Sequence, residues 1–229
     1  MRLLPPFNRN VLIYMFSDSF YYGGVAVVDA FLAVLLTAKV TEGRLDAIGF
    51  VLGYALIIRA IAEIPFAYVV EKLDYITKKR IVFLAMFTYG LTLIAMGFST
   101  SLAHIFIGQT IIALMTALAY PIKWPTFAAA IDKGQEAIEW STEDVLSNAL
   151  PALSSVLAGF IAEFYGITIT FAFFGTLLMI SGIAFLFIGP IKKRTEMGTR
   201  SKRIYKNKRK TRTQIKRGFI LDLLDKVWI

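Results

Sequence analysis

The 229-residue sequence contains no cysteine and a single histidine, His104. Without thiolates, disulfides, iron–sulfur ligation, Cys/His zinc sites and cysteine nucleophiles are all excluded. A glycine-rich phosphate cradle is also missing, which argues against ATP-driven chemistry. No nucleophile–base pair and no metal set can be assembled from the remaining residues, so no enzyme activity, cofactor or metal is expected. Charge is scarce as well: 18% of residues are Asp, Glu, Lys or Arg, while 57% are hydrophobic and the mean hydropathy is +0.63. A soluble domain carries about 25% charged residues, so this chain lacks the polar material to coat a surface in water. Its composition is that of a membrane protein.

What the chain does have is long apolar runs. Crossing the hydrocarbon takes roughly 20 mostly apolar residues, and six stretches qualify, at about 11–36, 47–70, 81–98, 102–126, 145–165 and 167–190. The sequence therefore predicts an all-α membrane protein, with a six-helix transmembrane domain over residues 1–190 and a basic tail over 191–229. The first run is longer than the apolar region of a signal peptide and has no small-residue cleavage site after it, so it is expected to be retained. Charge divides the same way, because residues 191–229 hold 14 Lys/Arg against 3 Asp/Glu and residues 1–190 hold 11 against 13. Placing the N-terminus inside gathers Arg2, Arg9, Lys72, Lys78, Lys79, Arg80, Lys133 and the tail on one side, leaving Lys39 and Arg44 opposite. By the positive-inside rule both termini are expected in the cytoplasm, and the cell (plasma) membrane is the expected location.

Polarity is uneven among the helices. Helices three and six hold no ionisable residue within their apolar stretches and are expected to face lipid. In helix one, Asp18 and Asp29 are eleven residues apart, about 20° from a whole number of turns, so they share a face with Tyr14 and Tyr22. Helix four carries a similar stripe of Gln109, Ala113, Thr116 and Tyr120, running on to Lys123, which is expected to snorkel to the interface. Helix two holds Arg59 near its midpoint and Glu63 one turn on. A charge at that depth costs about 2.5–3.5 kcal/mol even on lenient scales, so Arg59 needs partners. Depth arithmetic nominates Asp18 and Glu63, with Asp29 and Gln109 sharing an outer polar pocket. Asp18, Asp29, Arg59, Glu63, Gln109, Tyr22 and Tyr120 are accordingly the candidate substrate and coupling residues.

Small residues at four-residue spacing allow close helix contacts. They occur as Gly49/Gly53 in helix two and as Ser155/Gly159 and Ala158/Ala162 in helix five. Gly23–Gly24, Pro121 and Pro125 weaken or kink the two helices that bear the polar stripes.

This pattern resembles one six-helix half, two three-helix repeats, of a transporter of the major facilitator superfamily. The resemblance covers about residues 8–190. It implies that helices one and four line a cavity, that two and five form the contact between halves, and that three and six lie outermost. The signature loop after helix two of that family is similar to Ala67-Tyr68-Val69-Val70-Glu71-Lys72 followed by Leu73-Asp74-Tyr75-Ile76-Thr77-Lys78-Lys79-Arg80. Glu71 and Lys72 stand at its acidic and basic positions and Lys78, Lys79 and Arg80 at its basic run; Ala67 replaces the first glycine, Glu71 the usual aspartate, and the second glycine is missing. The stretches Asp132–Ser141 and Gly159–Gly166 also resemble the helix-four-to-six region of half-length members.

The resemblance implies a secondary transporter of a small solute. Since such transporters bind substrate between two halves of like orientation, one six-helix unit is expected to work as a parallel homodimer, through helices two and five. Asp18 or Glu63 is the expected proton-coupling carboxylate. The alternative is a non-transporting scaffold or insertion-assisting protein with a lipid- or ribosome-binding tail. Residues 192–217 are expected to contact anionic lipid or RNA, and Gly218–Ile229, with Phe219, Leu223 and Trp228 at near-helical spacing, to form a short amphipathic anchor.

Overall fold

The computed structural model describes residues 7–39 and 45–190; the side chains of Val27, Asp29, Ala30, Ala38, Lys39 and Leu45 lie outside it, as do residues 1–6, 40–44 and 191–229. Residues Met1–Ile191 make one compact unit. The expected lipid or RNA contact at 192–217 and the amphipathic end fall outside the described residues. Among those described, every regular element is a helix: α1 (Arg9–Lys39), α2 (Leu45–Glu71), α3 (Tyr75–Gly97), α4 (Leu102–Ala130), α5 (Glu136–Tyr165) and α6 (Ile167–Phe185). Each contains a window apolar and long enough to cross a membrane. In lipid every backbone donor and acceptor has to be met within the segment, which is why apolar runs of this length become helices.

Three helices extend beyond the apolar stretches. Helix α3 begins at Tyr75, six residues before its apolar stretch, because the Asp74 side chain accepts the backbone N–H groups of Ile76 and Thr77 at 3.0 and 3.1 Å. Helix α5 begins at Glu136 instead of 145, and α4 continues to Ala130. The gap of 127–144 between the two apolar stretches therefore shrinks to a connection over Ile131–Gln135. Its backbone is held by Glu139, which accepts the Asp132 N–H at 3.1 Å, and by Glu136, which accepts that of Gly134 at 2.7 Å. Between α5 and α6 the chain reverses at Gly166, whose φ of +85° suits a residue without a Cβ.

One end of the bundle is stitched by side chains. Asn8 donates to the carbonyl of Ala130 at the end of α4 (2.7 Å), and Asn10 accepts the N–H of Gly189 (2.8 Å). The Tyr75 hydroxyl lies 2.9 and 2.7 Å from the carbonyls of Ile188 and Gly189, while Lys79 donates to those of Leu186 and Ile188 at 2.7 and 2.9 Å. A cation on the exposed carbonyls of a helix C-terminus is favourable on both charge and hydrogen-bonding grounds. Lys79, one of the signature-loop bases, thus closes the end of α6.

Interior packing runs through α1, α3 and α6. At the α3–α6 crossing the backbones touch. A Cβ on Gly175 would sit 2.6 Å from the Gly90 carbonyl oxygen, and one on Gly90 would strike that of Gly175. Gly24 admits Leu178, and the Ser17 hydroxyl donates to the Ser181 carbonyl at 2.8 Å. In α3 and α6, whose apolar stretches can face lipid, 44% of the membrane-spanning window is buried within the chain. In α2 and α5 the shares are 11% and 6%, and a Cβ on Gly49, Gly53 or Gly159 would meet nothing within 4 Å.

Candidate functional site

Three helices step inward in register from the stitched end. Tyr14 on α1, Phe127 on α4 and Trp140 on α5 form an aromatic layer. Tyr14 stacks on Phe127 at 4.7 Å between ring centroids, Phe127 meets Trp140 edge-on at 4.9 Å, and Trp140 stacks on Trp124 at 5.8 Å. One turn deeper on each helix, four residues along α1, four back along α4 and three along α5, stand Asp18, Lys123 and Glu143. Their exposures are 2%, 3% and 2%.

Lys123 forms an ion pair with Asp18, and its ammonium lies 3.6 Å from the centroid of the Tyr21 ring, a cation–π contact that replaces part of its lost hydration. The Glu143 carboxyl and the Tyr14 hydroxyl both stand close to Asp18. No donor meets either Glu143 oxygen among the described residues. This layer therefore holds two carboxyls and one ammonium. Pro121 and Pro125 flank Lys123 and remove two backbone donors from that stretch of α4.

Beyond this layer opens a cavity of about 560 Å³, lined by α1, α2 and α4 with Tyr89 and Pro151 at its margins. Tyr21, Tyr22 and Tyr120 face it, as do Arg59, Thr116 and Gln109. The Arg59 guanidinium lies 4.2 Å from the centroid of the Tyr120 ring, and its Nε is 3.5 Å from a Glu63 carboxylate oxygen. Gln109 is 3% exposed, and its Nε2 has no hydrogen-bond partner among the described residues.

The family model described as the Major Facilitator Superfamily matches residues 12–224, which include nearly all of α1 and the whole of α2 to α6. The chain belongs to the major facilitator superfamily. No curated protein matches it. Membership makes it a multi-pass membrane protein of the secondary-transporter class, and its six described helices correspond to one half of the superfamily's twelve.

Within this superfamily member the sequence-predicted residues fall into two groups. Arg59, Gln109, Tyr22 and Tyr120 come together around the cavity, with Glu63 beside Arg59. Asp18 does not join them. Its cation is Lys123, so the expected Asp18–Arg59–Glu63 cluster is corrected to an Arg59–Glu63 pair and a separate Asp18–Lys123 pair. The physical reason is side-chain direction: Arg59 turns its Nε toward Glu63 on its own helix and one face toward the Tyr120 ring, while Lys123 sits opposite Asp18 across α1 and α4. Lys123 consequently does not snorkel to the interface. The side chain of Asp29 lies outside the described residues. In the signature loop, Glu71 ends α2, Lys72 lies in the turn, and Lys78, Lys79 and Arg80 already belong to α3.

Glu143 escaped the sequence reading because its stretch looked like a loop. The available signal was the spacing of Glu139, Trp140 and Glu143, which puts three large residues on one face of a helix ahead of the apolar run.

Proposed function

We propose that the chain is a proton-coupled secondary transporter of a small solute, with the Asp18–Lys123–Glu143 layer as its coupling element. The observation that carries this reading is the charge count of that layer: two carboxyls and one ammonium, each about 97% buried, between an aromatic closure and a cavity. One ammonium neutralises one carboxylate. The second carboxyl is neutral when it holds a proton, so a change of access state that moves Lys123 from Asp18 toward Glu143 hands the proton from one acid to the other or releases it.

Transport by a six-helix unit calls for a second unit of like orientation. A second copy of this chain, packed through α2 and α5 with both termini cytoplasmic in the plasma membrane, supplies it. Support comes from the small fraction of those two helices that the single chain buries and from the open space at Gly49, Gly53 and Gly159. Since the chain has no native cysteine, cysteines at Gly53 and Ser155 offer a clean crosslinking test, and a strictly monomeric protein in nanodiscs would overturn the dimer.

For coupling, proteoliposomes under an imposed proton gradient are screened with a solute panel. Asp18→Asn and Glu143→Gln should each abolish gradient-driven accumulation while leaving counterflow exchange. A chain that moves no solute, yet co-sediments with ribosomes through residues 192–229, would replace transport with the insertion-assisting alternative.

A further inference from the structure

Arg59 is the one charged side chain facing the cavity among the described residues. Glu63 touches its Nε and is not part of the cavity wall, and the Tyr120 ring covers one face of the guanidinium. The two terminal nitrogens are left, and a guanidinium edge of that kind matches a carboxylate in a planar, two-bonded geometry that a cation or a neutral amide cannot reproduce. At the far end, Gln109 is 97% buried with its Nε2 unpartnered. A buried donor without an acceptor carries a desolvation cost that a ligand acceptor removes.

The distance between these two groups sets a length. Tyr120, on which Arg59 rests, and Gln109 are eleven residues apart on α4, and the reach of the Arg59 and Tyr120 side chains shortens the gap to roughly 10–15 Å at ~1.5 Å per residue. Between them the wall is apolar and aromatic, with Val25, Leu52, Ile112 and the tyrosines. The volume of about 560 Å³ lies within the range that holds a drug-sized molecule.

We infer that the cavity takes an elongated organic anion: a carboxylate on the free edge of Arg59, an apolar or aromatic body against the tyrosine-lined wall, and a hydrogen-bond acceptor on Gln109 Nε2. This deepens the transport reading and rests on it for the role of the cavity, but not for the binding itself.

The test is calorimetric binding to the full-length protein in nanodiscs, with empty nanodiscs as the blank. Three rigid probes of matched shape are used: 4′-acetylbiphenyl-4-carboxylate, its carboxamide, and 4′-ethylbiphenyl-4-carboxylate. The acetyl carboxylate should bind about tenfold or more tightly than the carboxamide, because the amide leaves the guanidinium unmatched. It should also bind several-fold more tightly than the ethyl analogue. Arg59→Gln should bring the carboxylate-to-amide ratio near one, with Arg59→Lys in between, and Gln109→Leu should erase the acetyl-to-ethyl difference while leaving the first ratio intact. An amide that binds as tightly as the carboxylate, an unchanged preference in Arg59→Gln, or no binding of any probe at millimolar concentration each overturns the anion assignment. Normal carboxylate binding in a protein that shows no gradient-driven flux would instead retain the ligand class and overturn coupling.

Discussion

Among the described residues, two ion pairs sit in different surroundings. Arg59 and Glu63 are four residues apart on one helix, with side chains 31% and 41% exposed within the chain. Asp18 and Lys123 come from separate helices, are 3% and 4% exposed, and share their layer with a further carboxyl. The first pair is made by local spacing and survives rearrangement of the bundle. The second exists only when α1, α4 and α5 hold their mutual register, so it is suited to report, and respond to, their relative position.

The largest effect expected from this contrast is in Lys123→Ala, which strands Asp18 beside Glu143 without a cation. Removing one partner of a buried pair costs about 3–5 kcal/mol, to be read as a drop in unfolding midpoint in nanodiscs. Adding Asp18→Asn to Lys123→Ala should recover part of that loss. If the double change is no more stable than Lys123→Ala alone, the two side chains are not energetically coupled.

Next comes the layer that covers the buried charges. Trp140→Ala removes the stack on Trp124 and the edge contact with Phe127, and aromatic pairs are worth about 0.5–1.5 kcal/mol each beyond their buried area. The stability loss should accompany faster passive proton entry into pyranine-loaded proteoliposomes. A variant as tight to protons as the unaltered protein would separate the aromatic layer from any sealing role.

Glu63→Gln is expected to cost less than Lys123→Ala, since Arg59 keeps the face of the Tyr120 ring and an opening to the cavity, whereas Asp18 loses the cation paired with it. A penalty equal to that of Lys123→Ala would erase the distinction between the two pairs. Smaller still is the effect at Asp74, on the exposed turn before α3. Its carboxyl is held below the usual aspartate value by the Thr77 hydroxyl first, then by the backbone N–H groups of Thr77 and Ile76. A depressed folded-state value means that the capping contribution is complete above the ordinary aspartate range and fades as pH falls through the lowered value. The midpoint difference between the unaltered protein and Asp74→Asn should therefore narrow on acidification, and a difference independent of pH would show that the carboxylate form is not what caps α3.

The six helices were legible because the bilayer imposes one length and one polarity on each of them, and the apolar runs carry that signal directly. The cavity residues Gln109, Tyr22 and Tyr120 were legible from helical spacing, and Arg59 from the cost of a charge near the middle of a membrane helix. What could not be read was partner choice. Asp18, Arg59 and Lys123 all lie within reach of one another on a depth scale, and a few tens of degrees of helix rotation decide which two meet. Glu143 was lost for a different reason: Glu139, Glu143 and Asp144 lower the local hydropathy, although a helix start rich in acids and facing a neighbouring lysine is physically sound.

The backbone contact between Gly90 and Gly175 has a mechanical corollary. Two helices whose main chains touch have no clearance for one to slide past the other, because any axial shift brings a neighbouring side chain into a space that accepts only hydrogen. The α3–α6 pair is thus a stiff spine, pinned further where Lys79 and Tyr75 hold the end of α6. Any displacement that opens or shuts the cavity has therefore to come from helices other than this pair sliding on each other, and α1 is joined to α6 where Leu178 packs on Gly24 and Ser17 meets Ser181.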